Sequence, residues 1–304
     1  MRALPLSGQV GIVTGGGKGL GRAFALDLAA AGATVVVNNR NRVVDADGRG
    51  PADHVVAEIL AAGGEAVAEY SDVSDPSSAA ALLATALERY GRLDFVVANA
   101  GVANPEMFHK TTPERFEQVI AINLGGTAHL AAACSAHMRT AGSGRIVLVA
   151  STAGLHGEPT ASAYTASKGA VIALGRAIAV ERERRNVLTN VVLPYATTQM
   201  TDTGMNPAYR ELMTAEAVAP VVTALVDPLC SLNGQVLVSG GGSLRAAAAV
   251  EYATVPLPED RLTPQGLTEL IARSRTAPGR EFPEAQSAFV DFAGEAARSR
   301  EPVA

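Results

Sequence analysis

The segment from Val10 to Asn38 constrains the fold more than any other part of the chain. It reads as an apolar strand from Val10 to Thr14, a glycine-dense turn, a helix from about Leu20, and a second strand from Thr34 to Asn38. Two strands joined through a helix run parallel, and parallel sheets are covered by helices on both faces. The segment therefore predicts a β-α-β unit at the start of an α/β domain.

The same alternation continues along the chain and predicts a doubly wound parallel sheet, Rossmann-like, in a single domain from residue 1 to 243. A C-terminal extension, 244–304, follows the last predicted strand and contains a helical pattern in TPQGLTELIARSR. We expect this extension either to pack on a partner or to cap the site, with its last dozen residues mobile. The predicted elements are helices at about 53–62, 77–90, 113–138 and 164–183, and strands at 66–70, 95–98, 145–149, 188–193 and 235–239.

The glycine-dense turn has the spacing G-x-x-x-G-x-G at Gly15, Gly19 and Gly21. Such a turn lets a dinucleotide approach the backbone and directs helix N–H groups at its pyrophosphate. A glycine cluster can also be an ordinary loop, but its place between a strand and a helix favours a dinucleotide site. We expect Lys18 and Leu20, which adjoin these glycines, to border that site.

Polar residues follow two further strands, at the edge where an open parallel sheet binds ligands. Asp72 and Val73 come after AVAEYS, and Asn99, Ala100 and Gly101 come after LDFVVA. These five residues are therefore expected to line the same cleft as the glycine turn.

Tyr164 and Lys168 lie four residues apart in SAYTASKGAVIALGRAIAVE, a segment that reads as a helix, so their side chains share one face. A free phenol has a pKa of about 10, and a neighbouring cation lowers it. Such a tyrosine is able to protonate a carbonyl oxygen or deprotonate an alcohol. This spacing also occurs by chance, so it gains weight only beside the other motifs.

With these motifs in order, the chain resembles the short-chain dehydrogenase/reductase family over about residues 6–243. The resemblance rests on TGGGKGLG, Asp72-Val73, Asn99-Ala100-Gly101, Asn123 in AINLGG, Ser151 in VLVAST, and YTASK at 164–168, with Ser151 preceding Tyr164 by 13 positions. It implies an oxidoreductase that uses a nicotinamide cofactor and forms a homodimer or homotetramer.

The resemblance also implies roles for single residues. Tyr164 is the general acid or base, Lys168 lowers its pKa and holds the nicotinamide ribose, and Ser151 donates a hydrogen bond to the substrate oxygen. Asn123 holds a water that links Lys168 to solvent, unless it is an ordinary helix asparagine. The resemblance also implies that Asp72 hydrogen-bonds the adenine and that Asn99 supports the cofactor cleft. It implies a contact between the turn at Pro194 and the nicotinamide. Tyr195 replaces the glycine that usually follows this proline in the family, which puts that contact in doubt.

Three features are similar to the (3R)-3-hydroxyacyl-CoA dehydrogenase portion of peroxisomal multifunctional enzyme type 2. They are the long polar segment NRNRVVDADGRGPA, the phrase EAVAPVVTALVDPLCSLNGQVLVSGGGSLRAA, and the tail ATVPLPEDRLTPQGLTEL. The implied substrate is a 3-hydroxyacyl or 3-oxoacyl thioester. Alternatives are a steroid or polyketide ketone, or a non-catalytic cofactor-binding scaffold.

Charge at the end of the second strand favours NADP(H) over NAD(H). An NAD site places a carboxylate there for the ribose 2′-hydroxyl, whereas this chain has Asn38, Asn39 and Arg40. Arg40 and Lys18 are expected to bind the 2′-phosphate. The alternative is that both cations are solvated and Asn39 binds a plain ribose, which leaves NAD open.

Composition restricts the remaining classes. The chain has 304 residues and a formal net charge of −5, which disfavours nucleic acid as a partner. It has two cysteines and no uninterrupted apolar run of about 18 residues, so neither a disulfide scaffold nor a membrane span is expected. MRALPLSGQV lacks a signal peptide's apolar core and EPVA is not a peroxisomal signal, so we expect a cytoplasmic enzyme.

Two further regions carry open interpretations. The five histidines have no metal-ligand spacing, and only His156, five residues after Ser151, is placed to border a substrate pocket, where a passive role is favoured. The segment TQMTDTGMNPAYRELM carries Met200 and Met205 among polar residues. It is expected to form either a mobile lid or a packed satellite helix.

Overall fold

The computed structural model of the protein describes residues 4–40, 43–182, 185–199, 206–258 and 261–298. Met200 and Met205, the expected helix end at residue 183, and the last six residues lie outside these ranges, so the expectations for them stay untested. The chain forms two compact units, Met1–Ala246 and Ala247–Ala304.

The first unit is built on an eight-stranded sheet in the order β3-β2-β1-β4-β5-β6-β7-β8. Every pair of neighbouring strands from β3 to β7 in this order is parallel. A two-residue turn joins β7 to β8, so that last pair is antiparallel. The strands are β1 Val10–Thr14, β2 Thr34–Asn38, β3 Glu65–Glu69, β4 Phe95–Ala98, β5 Gly144–Val149, β6 Val187–Pro194, β7 Val236–Gly240 and β8 Ser243–Ala247.

Helices follow most of the strands and cover the sheet, which confirms the predicted α/β fold class with a doubly wound, mostly parallel sheet. Those of the first unit are α1 Gly19–Ala30, α2 Pro51–Ala61, α3 Ser78–Tyr90, α4 Pro113–Ile120, α5 Gly126–Ala141, α6 Ala153–His156, α7 Ser162–Arg182, α8 Pro207–Arg210 and α9 Ala219–Val226. A π-helical segment, Ala121–Gly125, connects α4 to α5 without a break.

The core forms where α1 packs against the first strands. Phe24 and Leu28 of α1 and Phe95 of β4 are fully buried in one cluster. Gly11 of β1 makes this packing possible, because a Cβ there would lie 1.9 Å from the Phe95 ring. Burying each large apolar side chain contributes about 2–3 kcal/mol, so this cluster holds α1 against the sheet.

Several elements differ from the sequence expectations. The helix expected at 113–138 contains the π-helical segment and ends at Ala141. β8 and α9 were not predicted, because their glycine-rich and proline-containing surroundings favour loops. The segment expected as a lid or satellite helix contains the four-residue helix α8 within its described part.

One stretch, Pro113–Ala141, is long and apolar enough to cross a membrane by length and composition. Its mean hydropathy is high although polar residues interrupt its apolar runs, which is why the sequence showed no uninterrupted apolar run of that length. Half of the 18-residue segment that has this high mean hydropathy is buried inside the structure. That burial is typical of a helix that packs in a protein core.

The second unit contains the helices α10 Pro264–Ser274 and α11 Ala285–Arg298. An antiparallel bridge joins Glu251 to Arg280 through their backbones. The Arg280 guanidinium also pairs with Asp291 at 2.9 Å and with Glu295 at 2.8 Å. The helix expected in TPQGLTELIARSR is therefore present, and Arg280 ties α11 to the chain before α10.

Candidate active site

A cleft of about 340 Å³ opens at the carboxyl ends of the central strands. It brings together thirteen of the residues singled out in the sequence, from the glycine turn, the β2 and β4 ends, β5, α7 and β6. They are Gly15, Lys18, Gly19, Leu20, Gly21, Asn39, Asn99, Ala100, Gly101, Ser151, Tyr164, Lys168 and Pro194. Arg40, Asp72 and Val73 line an adjoining cavity of about 170 Å³, which shares Gly15, Asn39, Ala100 and Gly101 with the cleft.

The glycine turn needs its glycines for two physical reasons. Gly15 and Gly19 have φ of +62° and +50°, a region that disfavours side chains. Gly21 lies in the first turn of α1, and a Cβ there would be 2.1 Å from the Gly15 carbonyl oxygen. The turn can therefore bring the α1 N-terminus close to a ligand in the cleft.

Asn99 fixes the glycine turn to the end of β4. Its side-chain amide donates to the Thr14 carbonyl at 3.0 Å. The Thr14 hydroxyl in turn accepts from the backbone N–H groups of Asn99 at 3.1 Å and of Ala100 at 3.2 Å. Two adjacent strand ends are thus held together on one side of the cleft.

Tyr164, Ser151 and Lys168 meet on the other side of the cleft. Burial raises the pKa of Tyr164, and a hydrogen bond with the Ser151 side chain partly opposes that rise. The Lys168 ammonium lies 5.8 Å from the centre of the Tyr164 ring and donates to the Val149 carbonyl at 2.8 Å. Burial lowers the pKa of Lys168 to about 8.

This geometry corrects one expectation. The sequence predicted that Lys168 lowers the pKa of Tyr164, but in this structure burial dominates and the pKa of Tyr164 is raised. The reason is that the Tyr164 hydroxyl loses solvent on burial, which disfavours the phenolate by more than the hydrogen bond with Ser151 favours it.

Asn123 lies behind the cleft, within the π-helical segment, and is fully buried. Its side-chain oxygen accepts from the Val102 N–H at 2.8 Å. Its amide group donates to the Val102 carbonyl at 2.9 Å and to the Ser167 hydroxyl at 3.0 Å. The Ser167 hydroxyl donates to the Tyr164 carbonyl at 2.7 Å. Asn123 therefore joins the loop after β4 to the first turns of α7.

Arg40 and Asp72 form an ion pair at the far end of the adjoining cavity. The guanidinium Nη1 lies 2.8 Å from Asp72 Oδ2, and the Ser74 hydroxyl donates to Asp72 Oδ1 at 2.7 Å. Burial alone would raise the pKa of Asp72, but the hydrogen bonds from Ser74 and Arg40 lower it to about 2. Asp72 is therefore an anion that faces Arg40, a contact that the implied adenine role did not include.

The cleft also contains five residues that sequence reasoning missed. They are Val149 and Ala150 before Ser151, and Ala196, Thr198 and Gln199 after Pro194. Ala150 directly precedes Ser151, and Thr198 and Gln199 begin the segment that was expected to form a lid, so their positions in the sequence were the available signal.

His156 lies apart from the residues that line the cleft, ends α6 and is exposed. Within the described ranges, no group of three or more His, Cys, Asp or Glu residues is arranged to hold a metal ion. Apolar side chains are exposed on the loop before α4, which pairs with the segment just before α7. Phe108 is 71% exposed and Met107 is 50% exposed, and their loop meets that segment through the bridge between Glu106 and Ala161.

Comparison with known proteins identifies the family. Residues 9–211 match the family model for short chain dehydrogenase. The chain is 40% identical over 242 residues to a short-chain type dehydrogenase/reductase of Mycobacterium tuberculosis, covering 79% of this chain and 85% of that protein. It is 38% identical over 243 residues to peroxisomal multifunctional enzyme type 2 of Drosophila melanogaster, of which it spans only 40%, and 79% of this chain is matched.

A solved structure gives the same result. The crystal structure of a short chain dehydrogenase from Mycobacterium avium superposes with a TM-score of 0.77 at 35% identity, covering 91% of this chain and 98% of that one. Members of the family are oxidoreductases that bind a nicotinamide cofactor and act on small molecules. The chain belongs to the short chain dehydrogenase family.

Proposed function

We propose that the protein interconverts a secondary alcohol and a ketone with NADP(H), and that its substrate is a 3-hydroxyacyl or 3-oxoacyl thioester. The observation that carries the proposal is the meeting of Tyr164, Ser151 and Lys168 in the same cleft as the glycine turn. One cavity therefore contains both a hydroxyl group that can exchange a proton and a glycine turn that can bind a dinucleotide.

The residues present fit a nicotinamide dinucleotide. A Cβ at Gly15 would lie 3.0 Å from the Ala100 Cα, and one at Gly21 would meet the Gly15 carbonyl, so the cradle exists only with glycine at both positions. The α1 N-terminus, with Lys18 as its N-cap residue, offers N–H groups and a positive dipole end to a pyrophosphate. Lys168 would hold the nicotinamide ribose, and Pro194 would contact the nicotinamide.

The proton chemistry belongs to Tyr164. In reduction its hydroxyl donates a proton to the ketone oxygen, and in oxidation the phenolate accepts the proton of the alcohol. Ser151 donates a hydrogen bond to the same substrate oxygen and stabilises the charge that develops there. The bound cofactor supplies or accepts the hydride.

Protonated Lys168, whose ammonium lies 5.8 Å from the centre of the Tyr164 ring, opposes the rise in the pKa of Tyr164 that burial causes. A cation near the phenol favours the phenolate, and exclusion of water strengthens that interaction. Because burial lowers the pKa of Lys168 to about 8, the lysine is mostly protonated at neutral pH and loses its charge above that value.

The preference for NADP(H) rests on charge at the adenosine end. No carboxylate follows β2, and Asn39 and Arg40 line the cavity there. A guanidinium has five N–H donors, so the bond from Arg40 Nη1 to Asp72 is compatible with a second bond to a phosphate. The alternative, NAD(H), is favoured by the Asp72 carboxylate beside Arg40.

The thioester substrate is supported by the exposed side chains of Met107 and Phe108 and by the resemblance to a 3-hydroxyacyl-CoA dehydrogenase. Met107 and Phe108 would contact an acyl chain that leaves the cleft beside Tyr164, and such contact removes apolar surface from water. A steroid or polyketide ketone would use the same surface, so it is the second candidate.

Cofactor consumption tests the proposal. We expect the protein to oxidise NADPH with acetoacetyl-CoA, with a kcat/KM above that for NADH and above that for a panel of bulky cyclic ketones. Activity on the ketones alone would transfer the substrate to the second candidate. Cofactor binding without turnover of any of these substrates would support a non-catalytic scaffold instead.

The assembly and location are further proposals. Family members associate through long helices like those in Pro113–Ala141 and α7, so we propose a homodimer or homotetramer, which light scattering coupled to size exclusion measures. Cys134 and Cys230 are both free thiols. Free thiols are typical of a reducing compartment, and we propose the cytoplasm.

A further inference from the structure

The Arg40–Asp72 pair separates two cavities at the adenosine end of the cleft. Both residues line the cavity of about 170 Å³ that adjoins the glycine turn. Both also line an outer groove of about 740 Å³ formed by the segment after β2, α2 and Tyr70. A group that enters from either side therefore meets a guanidinium and a carboxylate together.

Opposite charges this close largely cancel for a third charge that lies farther away. The Arg40 and Asp72 side chains are 33% and 30% exposed, so water screens the pair only in part. A phosphate monoester carries a charge of about −1.5 to −2 at neutral pH. A 2′-phosphate near the pair would therefore gain from Arg40 and lose much of that gain to Asp72, whereas a plain ribose is indifferent to both.

We infer that Asp72 is a specificity-determining residue, whose carboxylate offsets Arg40 and keeps the discrimination between NADPH and NADH small. This inference rests on the proposed function, because it requires a nicotinamide dinucleotide in the cleft. Asp72 would thus influence the choice between NADPH and NADH, which a contact with adenine alone would not do. The loop after β3, and not the end of β2, supplies the acid that tunes the site.

The two partners have opposite effects in this account. Replacing Asp72 removes the opposing charge and sharpens the preference for NADPH. Replacing Arg40 leaves a carboxylate that repels a 2′-phosphate and can accept a hydrogen bond from a ribose hydroxyl, so the preference moves toward NADH. Arg49 and Asp53 also line the outer groove and stay unchanged in every variant.

The experiment measures the ratio of the Kd for NADH to the Kd for NADPH by fluorescence titration without substrate. Asp72→Asn is expected to raise this ratio by about three- to tenfold, since one charge at this range is worth about 1 kcal/mol. Arg40→Gln is expected to lower it by a similar factor. Calorimetric titration with 2′,5′-ADP and with 5′-ADP should show the same changes in relative affinity. Neither compound can be turned over, so this result does not depend on catalysis.

Asp75→Asn is the matched control, because this exposed carboxylate lies three residues on and bonds Ser77 instead of Arg40. It should change the ratio by less than twofold. Circular dichroism and the Tm show whether each variant keeps its fold.

The double variant separates offset from positioning. If Asp72 offsets charge, Asp72→Asn raises the ratio in the Arg40→Gln background as well. A fall in the ratio on Asp72→Asn that disappears in that background would overturn the inference in favour of a role in orienting Arg40. Equal losses for both cofactors would assign Asp72 to adenine and also overturn it. A wild-type ratio below one would contradict the proposed NADP preference alone, because the direction of the Asp72→Asn shift remains measurable.

Discussion

At the scale of the residue, Lys168 is the side chain whose chemistry the fold changes most clearly. Its ammonium is buried against the Val149 carbonyl, and burial lowers its pKa to about 8. The unfolded value is about 10.4, so between these two values the unfolded chain binds more protons than the folded one. The unfolding free energy contributed by Lys168 therefore rises as the pH increases from about 8 to about 10.4.

Replacing this lysine should remove that pH dependence. We expect Lys168→Met to gain stability relative to wild type at pH 7 and to lose that advantage by pH 10, with a change of up to about 3 kcal/mol. Denaturant unfolding at several pH values measures it. Lys110→Met, at an exposed lysine, is the control and should show no such trend. A constant difference between Lys168→Met and wild type across this range would contradict the burial account.

The sequence predicted that Tyr164 and Lys168 share one helical face, but it did not predict the sign of the shift in the pKa of Tyr164. Helical spacing predicts neighbours, whereas the degree of burial depends on residues far away in the chain, such as Val149 and Gly101. The same limit applies to Arg40 and Asp72, which lie 32 residues apart and meet only because β2 and β3 are adjacent. Each was assigned a separate cofactor contact because no local pattern reports their pairing.

At the scale of the element, the π-helical segment explains how one long helix reaches the cleft. A π turn widens the helix at one position, and such turns occur frequently at functional sites. Here it presents Asn123 to both Val102 and Ser167. Hydrophobic periodicity predicted a helix over this stretch correctly, but a single π turn changes that periodicity too little to be read from sequence.

Asn123→Ala should lower both stability and turnover. It leaves the partly buried Val102 backbone groups without their partners, which costs about 1–3 kcal/mol. It also releases the loop that borders Lys168. Asn190→Ala is a matched control, because this buried asparagine joins Leu232 to Gln235 away from the cleft. We expect both variants to lower the Tm, and only Asn123→Ala to lower kcat by tenfold or more. Equal kcat values would show that Asn123 is purely structural.

The glycine turn gives a second prediction at this scale. Gly21→Ala should abolish cofactor binding, because its Cβ would meet the Gly15 carbonyl and displace the turn. Gly294→Ala, in α11, is the control: the nearest atom to its Cβ is 3.5 Å away on a flexible arginine. That change should be neutral or stabilising by up to about 1 kcal/mol. Fluorescence titration with NADPH measures binding, and unchanged affinity in Gly21→Ala would contradict the cradle.

At the scale of the whole molecule, the cleft follows from topology. Parallel strands place their carboxyl ends at one edge, so residues from β1, β4, β5 and β6 meet although they are far apart in sequence. The alternation of strands and helices therefore predicts which edge of the sheet carries the cleft, but not every residue that lines it. The elements after residue 194 were less predictable, since β8, α8 and α9 are short and lie among glycine, proline and polar residues that favour loops.

The second unit shows a different limit. The helix α10 could be predicted from its apolar spacing and from Thr263 and Pro264 at its start. The ion pairs of Arg280 could not, because they join residues across a turn whose path the sequence leaves open.

The most direct test of the account is Tyr164→Phe, which removes the phenolic hydroxyl and keeps the ring. Since this hydroxyl is assigned the proton transfer, turnover with acetoacetyl-CoA should fall by about 10²–10⁴-fold. The Kd for NADPH, measured by fluorescence titration on the same preparation, should change by less than about threefold. Near-normal turnover by this variant would contradict the central claim that the Tyr164 hydroxyl carries the proton in this cleft.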